Sequence, residues 1–225
     1  MEESKNEGGH GGGPRSHGSE SGAAGQLTLP RFTAFNTPGL GWLMRCIGFL
    51  YLRIVGWRPS GAAPVDPKVL ILAAPHTSNW DLPLLIAFGF HFRLDIHWIG
   101  KDSLFKGVRG PAMRFLGGIA INRQLAHGIV EQTIERFNCH GKLAIVIAPE
   151  GTRGNAGRWK TGFYNIAHGA NVPVVCGFLD YAKKRGGFGP TLLLTGDREA
   201  DIARLAEFYT LISGRYPEQM SPVRF

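Results

Sequence analysis

A histidine and an aspartate five residues apart, His76 and Asp81, stand in the polar segment Ala74-Pro75-His76-Thr77-Ser78-Asn79-Trp80-Asp81. Across a turn of that length the aspartate can bring its carboxylate to one ring nitrogen of the histidine. Such a contact fixes the tautomer and raises the basicity of the other nitrogen, which can then take a proton from a hydroxyl. The spacing alone fits a plainer account too. Asp81 is a good helix N-cap, Pro83 is tolerated in a first helical turn, and His76 can be an ordinary hydrogen-bonded loop residue.

A second block adds groups suited to an anion. Ala148-Pro149-Glu150-Gly151-Thr152-Arg153 is followed by Arg158, Trp159, Lys160 and Gly162. Gly151 lets the backbone approach an anion, Thr152 offers a hydroxyl, and Arg153 can grip a phosphate through two parallel hydrogen bonds. A helix beginning near Thr161 would present its positive end close by. Taken singly, Glu150 and Arg153 also suit a charged turn capping that helix. A third block, Gly117-Gly118-Ile119-Ala120-Ile121-Asn122-Arg123, delivers Arg123 to the end of a short apolar run. A fourth, Asn171-Val172-Pro173-Val174-Val175, is apolar.

The elements that must hold these groups follow from hydrophobic patterning. Val69–Ala73, Asp95–Ile99, Gly118–Asn122, Leu143–Ile147, Val172–Leu179 and Thr191–Leu194 read as strands. Leu82–Phe90, Gly110–Leu116, Ala126–Phe137, Gly162–His168 and Ile202–Ile212 read as helices. Strands apolar on both faces and separated by helices predict an α/β fold with a mixed, largely parallel sheet flanked by helices. In such sheets the functional groups gather beyond the carboxyl ends of the strands. His76, Arg123 and the Glu150–Arg153 block all fall there. Pro59 to Pro67 reads as a linker or turn.

Residues 1–26, rich in Gly, Ser and Glu, have little to bury and are predicted to form a disordered tail. Residues 27–58 hold the most apolar segment, Gly39 to Trp57, interrupted by Arg45 and Arg53. No apolar run there reaches the roughly 20 residues of a spanning helix. Arg45 and Arg53 lie about 80° apart around a helix, and Trp42, Tyr51 and Trp57 suit the headgroup level. The segment is read as a helix in the membrane interface, the other reading being a helix packed on the domain. Residues 59–225 form the α/β domain.

The formal charge is +8, from 25 Lys and Arg against 17 Asp and Glu. A basic chain can favour nucleic acid, an anionic membrane or an anionic substrate. Neither zinc-finger spacing nor an aromatic RNA-binding signature is present, so nucleic acid is not expected as a partner. Cys46, Cys139 and Cys176 are too scattered for a disulfide framework or a metal site, and read as buried free thiols. Lys183-Lys184-Arg185 is a candidate basic loop.

The four blocks, in this order from about Val69 to Val175, resemble the 1-acylglycerol-3-phosphate acyltransferase family of glycerolipid acyltransferases. The resemblance implies that His76 is the general base and that Asp81 orients it. It implies that Arg123, Glu150, Gly151, Thr152 and Arg153 hold the acceptor phosphate and order the site. An acyl-CoA or acyl carrier protein thioester would be the co-substrate, with no resident cofactor or metal, and the enzyme would work at the cytoplasmic face of a membrane. No Ser or Cys is placed as an acyl-enzyme nucleophile, because Ser78 lacks a nucleophile-elbow setting. Pro75, Ala148 and Cys176 depart from the family pattern, which leaves another lysolipid, an amino lipid or a glycolipid as alternative acceptors. A catalytically inactive lipid-binding membrane protein is the non-enzymatic alternative.

Overall fold

The computed structural model describes residues 27–121 and 128–225. The Gly-rich tail and Arg123 therefore lie outside the described residues. In chain order the elements are α1 (Leu40–Ile54), β1 (Arg58–Ser60), β2 (Lys68–Ala73), α2 (Asp81–His91), β3 (Ile96–Lys101), α3 (Arg109–Phe115) and β4 (Gly118–Ile121). After them come α4 (Ile129–Cys139), β5 (Leu143–Ile147), α5 (Gly162–Ala170), β6 (Val174–Asp180), β7 (Arg185–Leu192) and α6 (Arg198–Tyr209). The strands form one seven-stranded sheet in the order β1-β7-β6-β2-β5-β3-β4. Every pairing is parallel except β6 with β7. The mixed, largely parallel sheet expected from the sequence is the observed one.

Side chains that alternate along each strand explain why helices cover both faces. Leu70 and Leu72 of β2 join Phe137, Phe163 and Leu205 in the core beneath α4, α5 and α6. Val69 and Ile71 point the other way, to Ile86 and Phe90 of α2. The far side of α2 presents Leu84, Ala87 and Phe88 to Leu52 of α1 and to Trp57. A helix covered on two sides has to be apolar nearly all round, as Leu82-Pro83-Leu84-Leu85-Ile86-Ala87-Phe88 is. Gly48 permits the α1–α2 approach: a Cβ there would lie 3.3 Å from the Ala87 carbonyl oxygen.

Three sequence expectations need correction. Residues 58–60, whose last two residues fall in the expected linker, are a strand, because β1 adds to the sheet edge beside β7. The last strand runs over Arg185–Leu192 rather than Thr191–Leu194. Its glycines and Pro190 hide it by pattern, yet the glycines are steric requirements. A Cβ on Gly187 would sit 2.1 Å from the Ser60 carbonyl oxygen, and one on Gly189 2.3 Å from the Phe208 ring. Arg185 is accordingly a strand residue and not part of a basic loop. Finally, only Cys176 is buried; Cys46, on α1, and Cys139, at the end of α4, are exposed, and all three are free.

Candidate active site

Because β2 and β5 are parallel neighbours, with Leu72 opposite Ile147, the segments that follow them leave the sheet side by side. Residues 74–80 follow β2, and residues 148–161 follow β5. The first carries His76. Its Nδ1 lies 2.9 Å from Asp81 Oδ2, so the ring donates from Nδ1 to the carboxylate and keeps Nε2 as its basic nitrogen. The same Oδ2 accepts the Ser78 backbone N–H at 3.0 Å. Asp81 Oδ1 accepts the Tyr181 hydroxyl at 2.6 Å. Asp81 is buried at 6 % exposure, and the His76 side chain retains 22 %. Asp81 opens α2 without capping it, since the preceding residue is helical and makes no side-chain cap bond. The pairing with His76 therefore takes the place of the helix-cap account.

The second segment divides its residues between interior and cavity. Glu150 is 1 % exposed, and its Oε1 accepts the His76 backbone N–H at 3.0 Å. Burial pushes its carboxyl up to about 7, with the Asp81 charge adding in the same direction and the His76 N–H opposing. Gly151, at φ 69°, reverses the chain, so that Thr152 and Arg153 emerge exposed. The Lys160 side chain lies across Gly151: a Cβ there would meet Lys160 Cε at 2.8 Å. Lys160 donates its backbone N–H to the Pro149 carbonyl at 2.9 Å, which closes the loop. Buried Trp159 anchors it from below, edge-on to Phe163 and Tyr209. The next helix, α5, begins at Gly162 and has no side-chain cap.

His76, Asp81, Gly151, Thr152, Arg153 and Lys160 line one cavity of about 660 Å³. Apart from Lys101 and Ser103 its other walls are apolar and include Leu82, Leu85, Phe88, Trp98, Phe178 and Phe188. A proton acceptor and three cations, Lys101, Arg153 and Lys160, thus share a space with room for a hydrocarbon chain. Of the residues expected from sequence, Glu150 touches His76 without lining the cavity, and Arg123 lies outside the described residues.

A family model described as Acyltransferase matches residues 60–177, more than half of the 225 residues. The chain belongs to the acyltransferase family. The resemblance read from the four blocks is borne out, and the protein is an enzyme of this type. No curated protein matches this acyltransferase. Among solved structures it is similar to the crystal structure of the 1-acyl-sn-glycerophosphate (LPA) acyltransferase PlsC from Thermotoga maritima. The identity is 18 %, the TM-score 0.55, and the match covers 76 % of this chain and 77 % of that one. At such identity the likeness is one of fold.

Two residues of this acyltransferase's site escaped the sequence argument. Lys160 stands beside the second block in a stretch with no pattern of its own. Tyr181 stands 100 residues from Asp81 with no motif around it. Strand order would have found it: β6 pairs with β2, Ala73 opposite Gly177, so the residue following β6 emerges next to the histidine turn.

Proposed function

We propose that this acyltransferase moves a fatty acyl group from an acyl-CoA or acyl carrier protein thioester to the free hydroxyl of a lysophospholipid. The acceptor is 1-acylglycerol-3-phosphate, and the product is phosphatidic acid. The observation that carries this reading is the placement of the His76–Asp81 pair, at 2.9 Å, on a largely apolar cavity that also holds Arg153 and Lys160. The substrate named for the Thermotoga protein of the same fold agrees with it.

In the proposed reaction His76 Nε2 removes the acceptor hydroxyl proton as that oxygen bonds to the thioester carbonyl carbon. The tetrahedral intermediate collapses, the carbon–sulfur bond breaks, and the departing thiolate takes the proton back from His76. Asp81 holds the ring and favours its charged form between the two proton transfers. Gly151, Thr152 and Arg153, with Lys160 beside them, bind the acceptor phosphate, and Arg123 contributes from the third block. Glu150 orders the site from behind the histidine. The acyl chain lies along the apolar wall.

The enzyme works on a membrane surface, which we place at the cytoplasmic face. Among the described residues no helix is long and apolar enough to cross a membrane. Yet α1 exposes Trp42, Leu43, Ile47, Phe49, Leu50 and Ile54, an apolar surface suited to the lipid interface.

The test is transfer of labelled acyl-CoA to 1-acylglycerol-3-phosphate in vesicles, with other lysolipids, an amino lipid and a glycolipid as parallel acceptors. His76→Ala should abolish transfer with the fold intact. Turnover retained by that variant would refute the general-base role, and preference for another acceptor would refute the substrate.

A further inference from the structure

We propose that Tyr181 is the positioning residue of the His76–Asp81 pair, fixing which carboxylate oxygen faces the imidazole. The proposal rests on the reading of His76 as the base. Asp81 Oδ2 is shared by the His76 ring and the Ser78 backbone N–H. Its Oδ1 receives the Tyr181 hydroxyl at 2.6 Å, the usual length for a hydroxyl donating to a charged oxygen. A carboxylate fastened through one oxygen can rock about its last torsion. One fastened through both presents a single edge to the ring.

The tyrosine is built to stay where it is. Its backbone N–H donates to the Ser213 carbonyl at 2.8 Å. Its ring meets the Trp57 ring edge-on, with centroids 4.8 Å apart and planes at 87°. Trp57 is itself buried against Phe88 of α2. Burial and the neighbouring carboxylate hold the phenol far above its ordinary titration range, so it remains a donor wherever the enzyme works. Arg215, the one charge that opposes this, also lies over the Trp80 ring at the outer side of the histidine turn. The charged and titratable groups around the pair are thus Tyr181, Arg215 and Glu150, with Lys101, Arg153 and Lys160 on the same cavity.

The hydroxyl has a chemical consequence beyond geometry. By drawing charge from Asp81 it weakens the pull of the carboxylate on the imidazolium. His76 then gives up its proton to the leaving thiolate more readily than it would beside a carboxylate bonded on one side only.

The experiment is Tyr181→Phe in the full-length protein, which deletes the hydroxyl and keeps the ring against Trp57. Loss of one charge-assisted bond predicts a kcat about tenfold lower, equivalent to about 1.4 kcal/mol, with KM for both substrates within twofold. The acid side of the kcat/KM profile should move to higher pH. The His76 ring-nitrogen resonances, titrated without substrate, should show the same rise. Unchanged kcat together with an unmoved His76 titration overturns the proposal; a loss of packing alone would lower the melting temperature and leave that titration in place. Should Y181F fail to fold, the wild-type protein decides. A Tyr181 hydroxyl proton whose resonance shifts as His76 titrates supports the coupling, and one indifferent to it refutes it. These resonances are read without turnover, so a failure of the acyltransfer reading would appear separately, as absence of transfer by the wild type.

Discussion

Glu150→Gln separates the stability of this acyltransferase from its chemistry, and the structure fixes the sign. The carboxyl is 1 % exposed, and the contacts with the His76 N–H and the Ser221 hydroxyl offset only part of the cost of that burial. Its pKa rises from 4.5 to about 7, burial being the first cause. A carboxyl with a raised folded-state pKa binds its proton more tightly folded than unfolded. The stability it confers is complete below pH 4.5 and disappears as the pH climbs through about 7. At 1.36 kcal/mol per pH unit the effect is about 3 kcal/mol, with no discount for solvent screening at so buried a site. Glutamine reproduces the neutral acid: its carbonyl can accept the His76 N–H that Oε1 accepts at 3.0 Å, and it cannot ionise.

The assay is thermal or urea unfolding of both proteins at intervals from pH 4.5 to 8. The difference in stability between variant and wild type should grow by about 3 kcal/mol over that range, in favour of the variant at the alkaline end. For a chain of this size that is roughly 6–12 °C in Tm. His97, whose pKa is lowered by burial, gives a slope of the opposite sign that is common to both proteins and cancels in the difference. Parallel profiles would show that Glu150 is not held neutral, and the argument from burial would fail. KM for a phosphorylated acceptor should also stay within twofold, because Glu150 does not line the cavity; a tenfold rise would restore it to the phosphate site.

Asp81→Asn should cost about 10²–10⁴-fold in kcat, the usual range for general-base assistance, with KM little changed; single-turnover kinetics with labelled acyl-CoA measures it, and a loss below threefold refutes the orienting role. Arg153→Ala should raise the acceptor KM about tenfold or more, by removing a charge-assisted contact, while kcat at saturating acceptor holds. Leu85→Trp, on the cavity wall, should shift donor preference toward shorter acyl chains in a competition assay from C10 to C18, and an unchanged profile would place the chain elsewhere. Ile47→Asp with Leu50→Asp, both exposed on α1, should weaken sedimentation with anionic vesicles about tenfold or more without lowering Tm, since neither residue is packed on the domain.

The geometry of the candidate site was legible in the sequence wherever it was local. His76 and Asp81 are five residues apart, and one turn decides whether they meet. The strand before them and the helix after them are both strongly apolar. Thr152 and Arg153 were legible for the same reason, as residues that follow a plain strand. What stayed hidden depends on strand order. Tyr181 reaches Asp81 only because β6 lies against β2, and no residue near 181 carries a pattern that says so. β7 was misplaced because Gly186, Gly187 and Gly189 lack the side chains that mark a strand, for a reason outside the strand: Ser60, Phe88 and Phe208 occupy the space their Cβ atoms would need. Glu150 sits beside Gly151, Thr152 and Arg153 in sequence, where nothing tells an inward carboxylate from an outward one.

On the proposed reading, that inward carboxylate lets one short segment serve a base and an anion at once. A second exposed negative charge beside His76 would compete with the phosphate of the proposed acceptor for Arg153 and Lys160 and would raise the cost of bringing that phosphate near Asp81. Gly151 avoids both effects by turning the chain between Glu150 and Thr152, at a φ that other residues rarely adopt. The acid goes beneath the histidine, where burial favours its neutral form and its oxygen fixes the His76 backbone, and the next two residues go into the cavity. Gly151→Ala therefore strikes two functions through one strained residue. The new Cβ also lies 2.8 Å from Lys160 Cε, so the lysine must move. Acceptor KM should rise and Tm should fall together, and a variant that changed only one of them would show that the turn does not couple the two halves of the site.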